Sequence, residues 1–241
     1  MAEPMLRLSG VHTHIGQYHI LQGVDFDVAR GGLTMLLGRN GAGKTTCLRT
    51  IMGLWRASKG NVRLDGHDVT RLATPELARG GVAYVPENMG IFAGLTVREN
   101  MLLAARGGPP EAARLAWIFR LFPALEQFWN GLAGNLSGGQ KQMLAIARAI
   151  VEPRKLLLVD EPTKGLAPAI IGNMIEAFRE LKRTDTTILV VEQNFHFAKS
   201  LGDTVAVMDS GRIVHTGDMG ALVADAPLQA KLLGLSLEAQ P

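Results

Sequence analysis

Short runs of consecutive apolar residues, separated by stretches with helical spacing, set the rhythm of this 241-residue chain. Leu156-Leu157-Leu158-Val159 and Ile188-Leu189-Val190-Val191 are apolar at every position, the pattern of strands covered on both faces. Similar runs predict strands at Leu6–Val11, Val24–Val28, Leu33–Leu37, Asn61–Leu64, Val82–Val85, Leu156–Val159, Thr187–Val191 and Thr204–Met208. Alternation of such strands with helices predicts an α/β protein with a largely parallel sheet.

The middle of the chain breaks this rhythm. From about Thr96 to Val151 helical signals dominate. Thr96-Val97-Arg98-Glu99 is a capping box that opens one helix. Gly107-Gly108-Pro109-Pro110 interrupts the chain, and a second helix is expected from Glu111 to Phe122. A third begins after Ser137, with Met143, Leu144, Ile146, Ala147 and Ile150 on its buried face. The expectation is one domain: an α/β core of residues 1–90 and 152–217, a helical subdomain inserted at 91–151, and a C-terminal segment at 218–241. Asp209-Ser210-Gly211 reads as a turn between two short strands, and one helix around Met219–Leu233 follows, leaving no room for a regulatory domain.

Composition narrows the class. Apolar residues make up 47% and charged residues 20%, ordinary for a globular protein. No apolar run approaches the ~18 residues of a membrane-spanning helix, and Glu3, Pro4 and Arg7 interrupt any signal-peptide pattern. The single cysteine, Cys47, excludes an internal disulfide, fits a reducing cytosol, and is expected to pack rather than react. The net charge of +3 is spread without a Lys/Arg block or aromatic-basic interleaving, so nucleic acid is not an expected partner. His12, His14, His19, His67, His196 and His215 show no metal-ligand spacing.

Three segments carry chemistry. Gly38-Arg39-Asn40-Gly41-Ala42-Gly43-Lys44-Thr45, followed by Thr46, matches the P-loop pattern between an apolar strand and a helix. Its glycines let backbone amides curl around phosphate oxygens at a helix N-terminus. Lys44 is placed to bridge the β- and γ-phosphates of ATP, and the Thr45 hydroxyl to ligate Mg2+. Leu156 to Glu161 is an apolar strand ending in two acids, with Asp160 directed at the magnesium and Glu161 able to polarise the attacking water. Leu136-Ser137-Gly138-Gly139-Gln140 precedes a helix. A capping box explains Ser137 and Gln140. The two glycines are expected where something approaches the backbone closely, as at a second phosphate-binding surface.

With that third segment between the other two, the chain resembles the ABC ATPases over essentially its whole length. The resemblance implies a P-loop NTPase (RecA-like) core with an antiparallel β edge and the inserted helical subdomain. It further implies that Leu136–Gln140 binds the γ-phosphate held by a partner subunit's P-loop, so that two chains sandwich two ATPs. Gln142-Met143-Leu144-Ala145-Ile146, Asp160 to Pro168, Val191-Glu192-Gln193-Asn194 and Val85-Pro86-Glu87 are similar to segments of the ATP-binding proteins of branched-chain amino-acid importers. The implied partners are a second ABC ATPase subunit, a paralogue or a second copy, and integral-membrane permease subunits. A periplasmic or extracellular solute-binding protein is implied indirectly, and the implied location is peripheral, at the cytoplasmic face of the inner membrane.

The same segments depart from the wider ABC pattern. Glu87 stands where a Gln is usual; it can ligate magnesium but adds a charge. Gln193 replaces the usual switch His; it donates a hydrogen bond but does not titrate. Ala167 replaces the D-loop aspartate, and Ile15 aligns where an aromatic stacks on adenine, with Tyr18 three residues away as the other candidate. Glu161, Gln193 and Glu87 are thus the candidate catalytic residues. A transport motor accounts for all of this. A mainly ATP-binding member of a heterodimer accounts for the departures, a non-transport ABC ATPase has no basic arm or tandem domain to support it, and a P-loop kinase leaves the signature unexplained.

Overall fold

The computed structural model describes residues 3–234. In chain order it holds β1 (Leu6–Ile15), β2 (Tyr18–Val28), β3 (Leu33–Leu37), α1 (Lys44–Ile51), β4 (Ala57–Leu64), β5 (His67–Asp68), α2 (Thr74–Arg79) and β6 (Val82–Val85). Next come α3 (Val97–Ala104), α4 (Ala112–Leu121), α5 (Pro123–Gln127), α6 (Gly138–Ala149), β7 (Leu156–Asp160), α7 (Pro168–Lys182) and β8 (Thr187–Glu192). The described chain closes with α8 (Phe195–Leu201), β9 (Thr204–Asp209), β10 (Arg212–Asp218), α9 (Met219–Ala224) and α10 (Ala226–Leu233).

The strands form two sheets. Five run parallel in the order β9-β3-β8-β7-β6, with β10 added antiparallel to β9. The other sheet, β2-β1-β4-β5, is antiparallel. The continuous apolar runs have the cause the sequence suggests: β3, β7 and β8 are buried at every position. Alternate residues face opposite layers. Leu157, Val159, Ile188 and Val190 pack with residues of α3 to α8, while Leu156, Leu158, Leu189 and Val191 pack with α1 and the antiparallel sheet. The parallel sheet is therefore the middle layer.

The predicted capping box of α3 is present: the Glu99 amide donates to Thr96 Oγ1 and the Thr96 amide to Glu99 Oε2. Three expectations need correction. Strand β4 begins at Ala57 rather than Asn61, because its pairing with β1 continues through Lys59 and Ala57. Strands β1 and β2 extend beyond Val11 and before Val24, because cross-strand pairing continues through His12, Thr13 and His14 after the apolar run stops. The single helix expected around Met219–Leu233 is two helices. Asp225 ends α9 and its carboxylate accepts from the Leu228 amide, while Pro227 in the first turn of α10 cannot continue a helix from upstream. Residues 235–241 of the expected C-terminal segment lie outside the described residues. No helix among the described residues is long and apolar enough to cross a membrane.

Candidate functional site

Strand order decides which side chains meet. β8 lies between β3 and β7, with Leu37 paired to Glu192 and Val191 to Asp160. The loops leaving the carboxyl ends of these three strands converge, the usual ligand position in an open parallel sheet.

After β3 the chain turns through Gly38, where an added Cβ would stand 2.2 Å from the Met208 carbonyl oxygen, so no side chain fits. Gly43 then starts α1 with φ of 107°, and no side chain caps that helix. The first-turn amides of α1 therefore have no helical acceptor and present a partial positive charge to an anion. Lys44 is 4% exposed. Its Nζ donates to the carbonyls of Gly38 at 2.8 Å and Arg39 at 3.1 Å, and lies 3.6 Å from Glu161 Oε1. Burial lowers the pKa of its ammonium, while Glu161 opposes that shift.

At the end of β7, Asp160 is fully buried. Thr45 Oγ1 donates to its Oδ1 at 3.1 Å and the Tyr84 hydroxyl to its Oδ2 at 3.2 Å. Burial pushes the Asp160 carboxyl up to about 6, against those two hydrogen bonds. Burial likewise pushes the Tyr84 phenol up to about 12, aided by Asp160. Glu161 follows with φ of 47°, an unfavourable backbone conformation for a glutamate, and its amide donates to the Val191 carbonyl. Its Oε1 accepts from Gln193 Nε2 at 2.6 Å, and the same nitrogen donates to Asn40 Oδ1 at 2.7 Å. Gln193 thus connects the P-loop to Glu161 across the strand that separates them.

Thr45 and Asp160 form the pair that could hold a divalent cation. Among the described residues no cluster of three or more His, Cys, Asp or Glu has metal-binding geometry. Phosphate oxygens and water would have to complete the shell, the usual arrangement for magnesium. Glu87 is engaged elsewhere: its carboxylate pairs with Lys164, whose Nζ also lies 3.5 Å from Glu161 Oε2. The charge that Glu87 adds is therefore balanced within the chain.

The segment Leu136–Gln140 is built at the start of α6. Ser137 Oγ accepts from the Gln140 amide, and Gln140 Oε1 accepts from the Ser137 amide. The two glycines have different reasons to be there. A Cβ on Gly139 would stand 2.7 Å from Ile170 Cγ2 on α7, whereas nothing lies within 4 Å of one on the exposed Gly138. Close approach within the chain thus accounts for Gly139.

Ile15 and Tyr18 face each other at the tip of the β1–β2 hairpin. Ile15 is half-buried and Tyr18 is 65% exposed. The hairpin is tied to the P-loop through Gly211, which accepts from the Gln22 amide and donates to the Ala42 carbonyl. Tyr84, Thr163, Lys164 and Glu192 were not singled out from sequence. For Glu192 a signal was present: an acid closes the apolar run of β8 as Asp160 closes that of β7.

With this geometry in place, the relatives are informative. The family model described as ABC transporter matches residues 21–164. The chain belongs to this family: it is an ABC ATPase, a nucleotide-binding protein that hydrolyses ATP. The high-affinity branched-chain amino acid transport ATP-binding protein BraG of Pseudomonas aeruginosa is 37% identical over 95% of this chain and 100% of its own length. The methionine import ATP-binding protein MetN of Rhizobium etli is 34% identical over 93% of this chain and 64% of its own. A solved ATP-binding cassette of an ABC transporter in its ADP conformation superposes with a TM-score of 0.80 at 26% identity, covering 97% of this chain and all of that one.

Proposed function

We propose that this chain is the ATP-hydrolysing subunit of an importer for branched-chain amino acids or a related small solute. One observation carries the catalytic part: Lys44, Glu161, Gln193 and Asn40 form a connected constellation beside the Thr45–Asp160 pair. The substrate class rests on similarity to BraG over 95% of this chain and the full length of that one. The methionine relative keeps other small solutes in view.

In this reading the amides from Gly38 to Thr46 wrap the phosphates of ATP, and Lys44 exchanges its bonds to the Gly38 and Arg39 carbonyls for phosphate oxygens. Thr45 and Asp160 would hold Mg2+, which when bound would offset charge on the phosphates. Glu161 accepts a proton from the water whose oxygen bonds to the γ-phosphorus as the bond to the ADP oxygen breaks. Gln193 holds Glu161 to Asn40 of the P-loop, beside the place of the γ-phosphate. Glu87 senses the site from its pair with Lys164. Ile15, with Tyr18 opposite, lies against the base. Leu136–Gln140 completes the site of a second ABC ATPase subunit, a paralogue in the assembled transporter and a second copy when the chain is alone with ATP.

Membrane permease subunits supply the transport path, and a solute-binding protein delivers to them. Their docking place on this chain is a groove of about 780 Å³ lined by Arg49, Trp55, Met89, Arg106, Arg148 and Arg154. Its basic and apolar lining suits a cytoplasmic helix, which would hold the chain at the inner face of the membrane. The test is reconstitution with the neighbouring permease genes in proteoliposomes. ATP-dependent leucine uptake that stops with Glu161→Gln is expected. ATP hydrolysis without uptake of any branched-chain or related solute would remove the substrate assignment.

A further inference from the structure

We propose that Glu192 is a positioning residue for hydrolysis: its buried carboxylate clamps the backbone at Gln193 to the loop that follows Glu161. The proposal rests on the roles given to Glu161 and Gln193 above. Glu192 is 2% exposed and ends a strand that is otherwise apolar apart from Thr187. Its Oε1 accepts from the Thr163 amide at 3.0 Å and the Thr163 hydroxyl at 2.7 Å. Its Oε2 accepts from the amides of Gln193 at 2.9 Å and Asn194 at 3.0 Å.

Four donors on two oxygens fill the accepting capacity of an ionised carboxylate. All four are neutral, so a negative charge is kept in the interior by hydrogen bonds from uncharged groups. A buried charge is costly to hold, and an apolar residue would end a buried strand more cheaply. What the carboxylate adds is a rigid link between two loops that no strand pairing joins. Thr163 lies two residues beyond Glu161, in the loop whose Lys164 pairs with Glu87. Asn194 caps α8 by accepting from the Phe197 amide. Gln193, between them, must hold its side-chain nitrogen on Glu161 and Asn40 together. A shift of either loop moves that nitrogen away from one partner.

An amide in place of the carboxylate keeps the shape but sets a donor against donors. Glu192→Gln should therefore lower kcat by ~10-fold or more while the Kd for Mg-ATP stays within about 2-fold, because positioning acts on the transition state. Thr163→Val, which removes only the hydroxyl donor, should lower kcat by a few-fold and decides the matter if Glu192→Gln does not fold. A structural lesion elsewhere is separated by a double-mutant cycle. In a Gln193→Ala background, Glu192→Gln should cost less than about 2-fold more, since the residue it positions is gone. Unchanged kcat in Glu192→Gln or, where that variant does not fold, in Thr163→Val overturns the proposal, as does a fully additive loss in the double variant. If Gln193→Ala alone leaves kcat unchanged, the role of Gln193 fails first and this proposal falls with it.

Discussion

At the carboxyl edge of the parallel sheet, Lys44, Asp160, Glu161, Glu192 and Gln193 all find partners within the chain. The helix that begins at Gly138 is different. Gly138 opens to solvent, and α6 carries two buried nitrogens, Gln142 Nε2 and Arg148 Nε, with no hydrogen-bond partner among the described residues. Leaving such a donor unpaired costs ~1–3 kcal/mol. The contrast teaches where this molecule is self-sufficient. The hydrolytic edge is assembled by its own fold, whereas in the proposed reading the exposed N-terminus of α6 is completed by ATP on a partner.

The largest effect expected is at the self-sufficient edge. Glu161→Gln should lower turnover by ~10²–10⁴-fold while ATP binding persists, because an amide accepts no proton from water. Retained turnover with retained binding would move the base elsewhere, to Glu87 first.

The next test asks what that edge costs the empty protein. Folding raises the Asp160 carboxyl from the ordinary 3.8 to about 6, so the folded chain favours the neutral form. The stability this contributes is complete below the ordinary value and is lost as pH rises through about 6. Asp160→Asn, neutral at every pH, should then stabilise the nucleotide-free chain at pH 8 by up to ~3 kcal/mol and give no gain below pH 4. Denaturant unfolding at both pH values checks this, and equal stabilities at pH 8 would contradict it.

The smallest effect separates the two glycines of the signature. Gly139→Ala should destabilise by ~1–3 kcal/mol through overpacking on Ile170. Gly138→Ala meets nothing in the chain and should leave the melting temperature unchanged or raised, with any loss confined to hydrolysis. Equal melting temperatures for both variants would erase the distinction.

Much of this was legible in the sequence because it is encoded locally. The P-loop from Gly38 to Thr45 and the acids closing β7 keep their spacing in any fold that forms the strand and the turn, and both capping boxes appeared as read. What escaped depends on strand order. Gln193 meets Asn40, 153 positions away, only because β8 lies beside β3, and Lys164 meets Glu87 across 77 positions. The clamp at Glu192 has the same origin. Gly139 adds a reason that spacing along the chain does not reveal: Ile170 of α7 packs on it. The break at Asp225 was readable from its cap and Pro227, but the apolar spacing ran across it.

The central claim is that one chain supplies Lys44 and its neighbours while another supplies the helix at Gly138. Mixing Lys44→Ala with Gly138→Arg tests it directly, since each variant lacks one part and keeps the other. Each alone should be inactive. Together they should regain about a quarter of parental turnover, because half of randomly paired dimers are mixed and each mixed dimer holds one intact site of two. Two inactive proteins that remain inactive at every mixing ratio would contradict the account.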